Sequence, residues 1–150
     1  MAMKVGISRA LLDQIRAHAA EAPDEEVCGL LFGDVNMIDA AQPATNIADD
    51  RRHRFELDPA TLFAAHRAAR AGGPGIVGHY HSHPNGVARP SARDAADAEP
   101  GSLWLILAGP EALLFEAVEA GPIAGRFRQI EMEIRDRRVA LPPRPRHKGR

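Results

Sequence analysis

The chain has one cysteine, Cys28, among its 150 residues. A lone thiol excludes an internal disulfide and any metal cluster built on thiolates. A bound metal must then be held by nitrogen and oxygen donors, a set that suits zinc. Aromatic residues make up 5% of the chain and the formal net charge is −1. That leaves neither the stacking surface nor the positive field of a nucleic-acid platform. Met1-Ala2-Met3-Lys4 lacks the apolar core of a signal peptide, and no apolar run approaches the roughly 20 residues that span a bilayer. These absences predict a cytoplasmic protein with no membrane and no nucleic-acid partner.

What is present suits a soluble globular protein: 45% apolar and 26% charged residues, in a length that gives one domain with a real core. The charge is unevenly spread. Arg135 to Arg150 carries seven basic residues and one acid, so this end is +6 and the rest of the chain −7. A basic, Pro-rich end of this kind reads as a solvated tail, disordered at its end, or else as an arm that docks a partner. The expected division is a domain over 1–134 and a tail over 135–150.

Along the domain, helices and strands are mixed. Met3 to Ile7 is a short apolar stretch leading to Ser8, which caps a helix carrying Leu11, Leu12, Ile15 and Ala19 at helical spacing until Pro23. Val27 to Phe32 is a buried strand turning at Gly33-Asp34 toward a second over 36–41. Arg54 to Leu57 looks like another short strand. Asp58-Pro59 opens a helix that stops at Gly72-Gly73. Pro74 to Tyr80 is a strand candidate, Pro90-Ser91 opens a short helix through Ala98, and strands follow at Leu103 to Ala108, Leu113 to Val118 and Phe127 to Ile134. The pattern predicts an α/β domain with helices covering a central sheet.

The chemistry gathers in His81-Ser82-His83-Pro84 and Pro90-Ser91-Ala92-Arg93-Asp94. Side chains two apart on an extended backbone share a face, so His81 and His83 point one way and Tyr80 and Ser82 the other. The turn at Pro84-Asn85-Gly86 lets Asp94, near the start of a helix, return toward them. By itself a His-x-His pair suits a polar strand edge or a satisfied buried imidazole. With the carboxylate it makes a three-ligand zinc site, whose fourth position takes water in catalytic centres. Hydrolysis also needs a proton carrier. Glu26, at the mouth of a buried strand, is the best candidate, since partial burial would raise its pKa; the adjacent Glu25 competes for the role.

Glu26-x-Cys28-Gly29, His81-Ser82-His83-Pro84 and Ser91-x-x-Asp94, in this order and spacing, resemble the JAMM motif of the MPN+ (JAB/Mov34) zinc metalloproteases. The likeness covers residues 3 to about 134 and is closest to the small stand-alone bacterial members. It implies a single-domain MPN (JAB) fold, with a central curved mixed β-sheet flanked by helices. It also implies that His81, His83 and Asp94 bind Zn2+, that Glu26 is general base and acid on the zinc-bound water, and that Ser91 donates to the oxyanion. Because the family's base stands three residues before the glycine, the likeness favours Glu26 over Glu25. The implied substrate is a peptide or isopeptide bond after the C-terminal Gly-Gly of a ubiquitin-like or sulfur-carrier protein.

Other readings follow from the same likeness. One is a non-catalytic MPN-type scaffold, which would have lost metal ligands; another is a JAB-like domain associated with nucleic-acid repair. The stretches 47–54 and 94–103 are too short for the insertions that grip ubiquitin in eukaryotic relatives, so selectivity among polyubiquitin linkages is not expected. Assembly as a homodimer stays open. His79 reads as a supporting residue, Cys28 and Trp104 as core, and Ser91 also as a helix cap.

Overall fold

The two long helices begin in the same way. In the computed structural model, which describes residues 4–136, Ser8 Oγ accepts the Leu11 amide at 3.1 Å and starts α1 (Arg9–Ala20). The Asp58 carboxylate accepts the Ala60 amide at 3.2 Å and starts α2 (Pro59–Arg70), with Pro59 in the first turn, where a missing N–H costs nothing. The basic tail from residue 137 lies outside the described residues, as do the expectations made for it.

The strands are β1 (Lys4–Ile7), β2 (Cys28–Gly33), β3 (Met37–Ala44), β4 (Ile76–Ser82), β5 (Leu103–Ala108), β6 (Glu111–Ala117) and β7 (Phe127–Ile134). A third, short helix, α3 (Ala92–Asp97), lies between β4 and β5. The expected curved sheet is mixed, but it closes on itself. Strand β1 pairs in parallel with β3 on one side and β7 on the other, completing the barrel β1-β3-β2-β4-β5-β6-β7. The closing strand has only four residues, but Val5 and Ile7 on it are fully buried, so a short strand can seal the gap.

Two sequence expectations need correction. Strand β4 does not stop at Tyr80 but runs through Ser82, because His81 pairs with Cys28 on β2 and Ile106 on β5, and Ser82 with Leu107. Arg54 to Leu57 is not a strand; its one bridge joins Leu57 to Asn46. The Asn46 side chain takes the Arg54 carbonyl and the Glu56 amide, so these backbone groups are satisfied without a ladder.

Apolar side chains divide by face. Val5, Ile7, Leu31, Tyr80 and Leu105 pack with Leu11, Leu12 and Ile15 of α1. Trp104, Ile106, Phe115 and Phe127 pack with Ala95 and Ala98 near α3, and Leu30 and Phe32 lie against Ala65 of α2. Tyr80 is buried but keeps a partner for its hydroxyl, His18 Nδ1 at 2.6 Å. Its ring covers Gly29 closely enough that a Cβ there would collide with it. Packing against the tyrosine therefore requires that glycine.

Candidate metal centre

Strand alternation puts Tyr80 into the α1 core and turns His79 and His81 to the opposite face of β4, and His83 follows directly after the strand. His81 is fully buried and His83 nearly so. Beyond the strand, α3 carries Asp94 in its first turn, also buried. His81 Nε2 and His83 Nε2 lie 3.0 Å apart, and Asp94 Oδ2 is 3.4 Å from the first and 3.2 Å from the second. A tetrahedral zinc ion with bonds of about 2.0–2.1 Å spaces its ligand atoms about 3.3–3.4 Å apart. The triangle is nearly of that size.

The chemistry of the donors points the same way. The Nδ1 of His83 lies 2.8 Å from the Val87 carbonyl, which can only accept, so this nitrogen carries the proton and Nε2 presents its lone pair. Two imidazole nitrogens and a carboxylate oxygen so close together repel unless a cation or a proton lies among them. The residues present therefore fit a divalent ion. The ring of His81 is oriented differently. Its Nδ1 is buried without a partner among the described residues, and the ring is held by Phe55, stacked at 4.4 Å and 23°, and by the edge of Trp104 at 5.6 Å.

The electrostatics follow the geometry. Burial opposes the Asp94 charge, but the two imidazoles, which donate from Nε2 when no cation lies among them, outweigh it and hold this carboxyl well below the usual range. Burial disfavours charge on His81 and lowers its pKa. In His83 burial acts the same way but is overcome by Asp94 and the Val87 carbonyl, so this ring is shifted up.

Glu26 precedes β2 and is buried, with a carboxylate oxygen within 4.8 Å of the two histidine nitrogens. Its Oε1 has no hydrogen-bond partner among the described residues, and burial pushes its pKa up to about 7. Glu25 turns the other way, to an exposed ion pair with Arg51. Of the two acids, only Glu26 reaches the centre. With His83 and Ser91 it lines a cavity of about 370 Å³, whose rim carries Arg52 and Arg89. A larger cavity of about 600 Å³, lined by His79, Leu57 and Leu62, contains none of these three.

Ser91 and Asp94 form a reciprocal helix cap. Ser91 Oγ accepts the Asp94 amide at 3.0 Å, and Asp94 Oδ2 accepts the Ser91 amide at 2.9 Å. Since Oγ acts only as an acceptor in the cap, its own proton remains free to donate. His79 stands outside the triangle with its ring against Trp104 at 4.3 Å, and burial lowers its pKa to about 3, which keeps it neutral. Cys28 is buried with its thiol pushed up to about 12 by desolvation, which removes it as a nucleophile at neutral pH. Trp104 is core, as its sequence context suggests.

Three supporting residues escaped the sequence reading. Phe55 stacks on His81. Ser82 Oγ accepts the Val27 amide at 2.8 Å and donates to the Glu25 carbonyl at 3.3 Å, which ties the segment around Glu26 to β4. Asn46 donates to the Glu26 carbonyl at 2.8 Å. The sequence offered a signal only for Ser82, through its place between the two histidines.

Comparison with known proteins agrees with this picture. Residues 8–120 match the family described as prokaryotic homologs of the JAB domain. A desampylase of Haloferax volcanii is 40% identical over 99 residues, which cover 64% of this chain and 71% of that one. A probable TtuB-protein conjugate cleaving protease of Thermus thermophilus is 33% identical over 92 residues, or 61% of this chain and 62% of that one. A solution structure of a Desulfitobacterium hafniense protein has a TM-score of 0.75 at 26% identity, covering 89% of this chain and 94% of that one.

Proposed function

The chain belongs to the prokaryotic homologs of the JAB domain and is a hydrolase of the JAMM isopeptidase type; on that premise we propose that zinc is its cofactor and that it cuts after the C-terminal Gly-Gly of a ubiquitin-like or sulfur-carrier protein. One relative is named a desampylase and another a probable protease cleaving TtuB-protein conjugates. Those names support conjugates of small protein modifiers as the substrate class. The observation that carries the reading is the convergence of His81, His83 and Asp94 at 3.0–3.4 Å, beside a buried carboxylate with a free oxygen. A scaffold module would not need all of these groups.

His81, His83 and Asp94 would hold the ion. Bound zinc supplies Lewis acidity, polarising the scissile carbonyl and making water a stronger acid. Glu26 takes a proton from the attacking water and delivers it to the departing nitrogen as the C–N bond breaks, leaving a carboxylate and an amine. Burial, which raises the pKa of Glu26 in the metal-free chain, favours proton uptake by this carboxylate, and a bound cation would favour its release again. The Ser91 hydroxyl donates to the carbonyl oxygen as negative charge builds on it. Residues without side chains, such as the two glycines, fit a narrow approach to a centre this deeply buried.

The test is hydrolysis of Gly-Gly-linked fusions of ubiquitin-like and sulfur-carrier proteins from the same source. Cleavage after the second glycine that stops with a chelator and returns with zinc is the expected result. Full cleavage by the chelated protein, or by Glu26→Gln, would overturn the mechanism.

A further inference from the structure

Asn46 uses all of its side-chain hydrogen-bonding capacity on two segments that meet at the metal centre. Its amide group donates to the Glu26 carbonyl at 2.8 Å and the Arg54 carbonyl at 3.1 Å. Its oxygen accepts the amides of Ala48 and Glu56, each at 3.0 Å. Two donors and two acceptors are all that such a side chain offers. Glu26 is the acid with the free buried oxygen, and Phe55, between the two clamped positions 54 and 56, stacks flat on His81. The Glu26 amide also donates to the Arg51 carbonyl of the same loop at 2.6 Å. The backbone of Glu26 is thus held at both its N–H and its C=O by the 46–56 segment.

We propose that Asn46 is a positioning residue, which fixes the carboxylate of Glu26 relative to the ring of His81 by bridging the segment that bears the base to the segment that bears Phe55. This role rests on the reading of Glu26 as proton carrier. Hydrogen bonding cannot orient His81 through its own Nδ1, which has no partner among the described residues, so the stacked Phe55 has that task, and Asn46 holds Phe55 in place. The donor half of the clamp matters most, because it alone reaches Glu26.

Asn46→Asp separates the two halves, since it keeps both acceptor bonds and loses both donors. In the zinc-loaded enzyme we expect kcat to fall about 10- to 100-fold, the range for small misplacement of a catalytic group, with KM and zinc affinity nearly unchanged. Amide exchange at Glu26 and Val27 should quicken. Combined with Glu26→Gln, the substitution should cost nothing further. Wild-type kcat in a folded Asn46→Asp, or an undiminished extra loss in the Glu26→Gln background, would overturn the role. Should the variant fail to fold, native-state exchange of the wild type decides instead: the Glu26 and Glu56 amides must open together as one unit, and independent opening would overturn the clamp. Full activity in Glu26→Gln would refute the assignment of Glu26 instead, and the exchange results would still judge the clamp by itself.

Discussion

Asp94 accepts the backbone amide of Ser91 through Oδ2, the same oxygen that faces both histidine nitrogens. The helix cap therefore aims the proposed metal ligand, and Ser91 serves both the cap and, as proposed, the reaction. The two contributions can be separated. Glycine caps a helix at a cost of only a few tenths of a kcal/mol, whereas alanine costs about 1 kcal/mol. Ser91→Gly should hold its melting temperature close to wild type while kcat drops by about 10²–10³, the effect of losing an oxyanion donor. Ser91→Ala should lose both. A Ser91→Gly enzyme with normal kcat would leave Ser91 only its capping role.

Removal of a donor should empty the centre. His83→Ala takes away one corner of the triangle together with the bond to the Val87 carbonyl, and Asp94→Asn keeps an acceptor for the Ser91 amide but no charge. Both variants should lose stoichiometric zinc after dialysis, as read by elemental analysis, while Glu26→Gln keeps it. If Asp94→Asn retains full zinc occupancy, the carboxylate is not a ligand.

Glu26 should also leave a signature in the chelated protein. Burial raises its pKa from 4.5 to about 7, so the folded chain holds this proton more tightly than the unfolded chain. The associated stability is complete below pH 4.5 and is lost as the pH rises through about 7. Its size is about 1–2 kcal/mol, after allowance for partial solvent screening. Between about pH 5 and 7.5 the wild type should therefore lose more stability than Glu26→Gln in parallel urea titrations. Equal slopes would mean that the carboxyl titrates normally.

The parts of this centre that were legible in the sequence depend on local rules. Strand alternation placed His81 and His83 on one face, and a serine three residues before an acid marked the start of α3. The buried run after Glu26 gave it a strand mouth to occupy. What escaped depends on contacts between distant segments. Asn46 meets a carbonyl twenty positions earlier in the chain, at Glu26, and nothing in its own neighbourhood announces that. The apolar alternation of Phe55 and Leu57 looked like a strand, but these residues serve two different clusters while Asn46 satisfies the backbone around them. Closure of the barrel is also non-local, since it needs β1 to find β3 and β7 at once.

Gly29, two residues into β2, offers a last test, one of packing. Its Cα faces the ring of Tyr80, and an added methyl would meet the ring carbons and the hydroxyl. Tyr80 cannot retreat easily, because it is buried and its hydroxyl is bound to His18. Overpacking of this kind costs about 1–3 kcal/mol, so Gly29→Ala should lower the melting temperature by about 2–12 °C for a chain of this size. The position lies next to Cys28, which pairs with His81, so zinc affinity should weaken too. Tyr80→Phe removes the clashing hydroxyl and its anchor on His18 but keeps the ring carbons, so it should give partial relief in the double variant, and Tyr80→Leu should restore more of the loss. A double-mutant cycle on thermal stability measures that coupling. Strict additivity would show that the glycine answers to some other neighbour than the tyrosine.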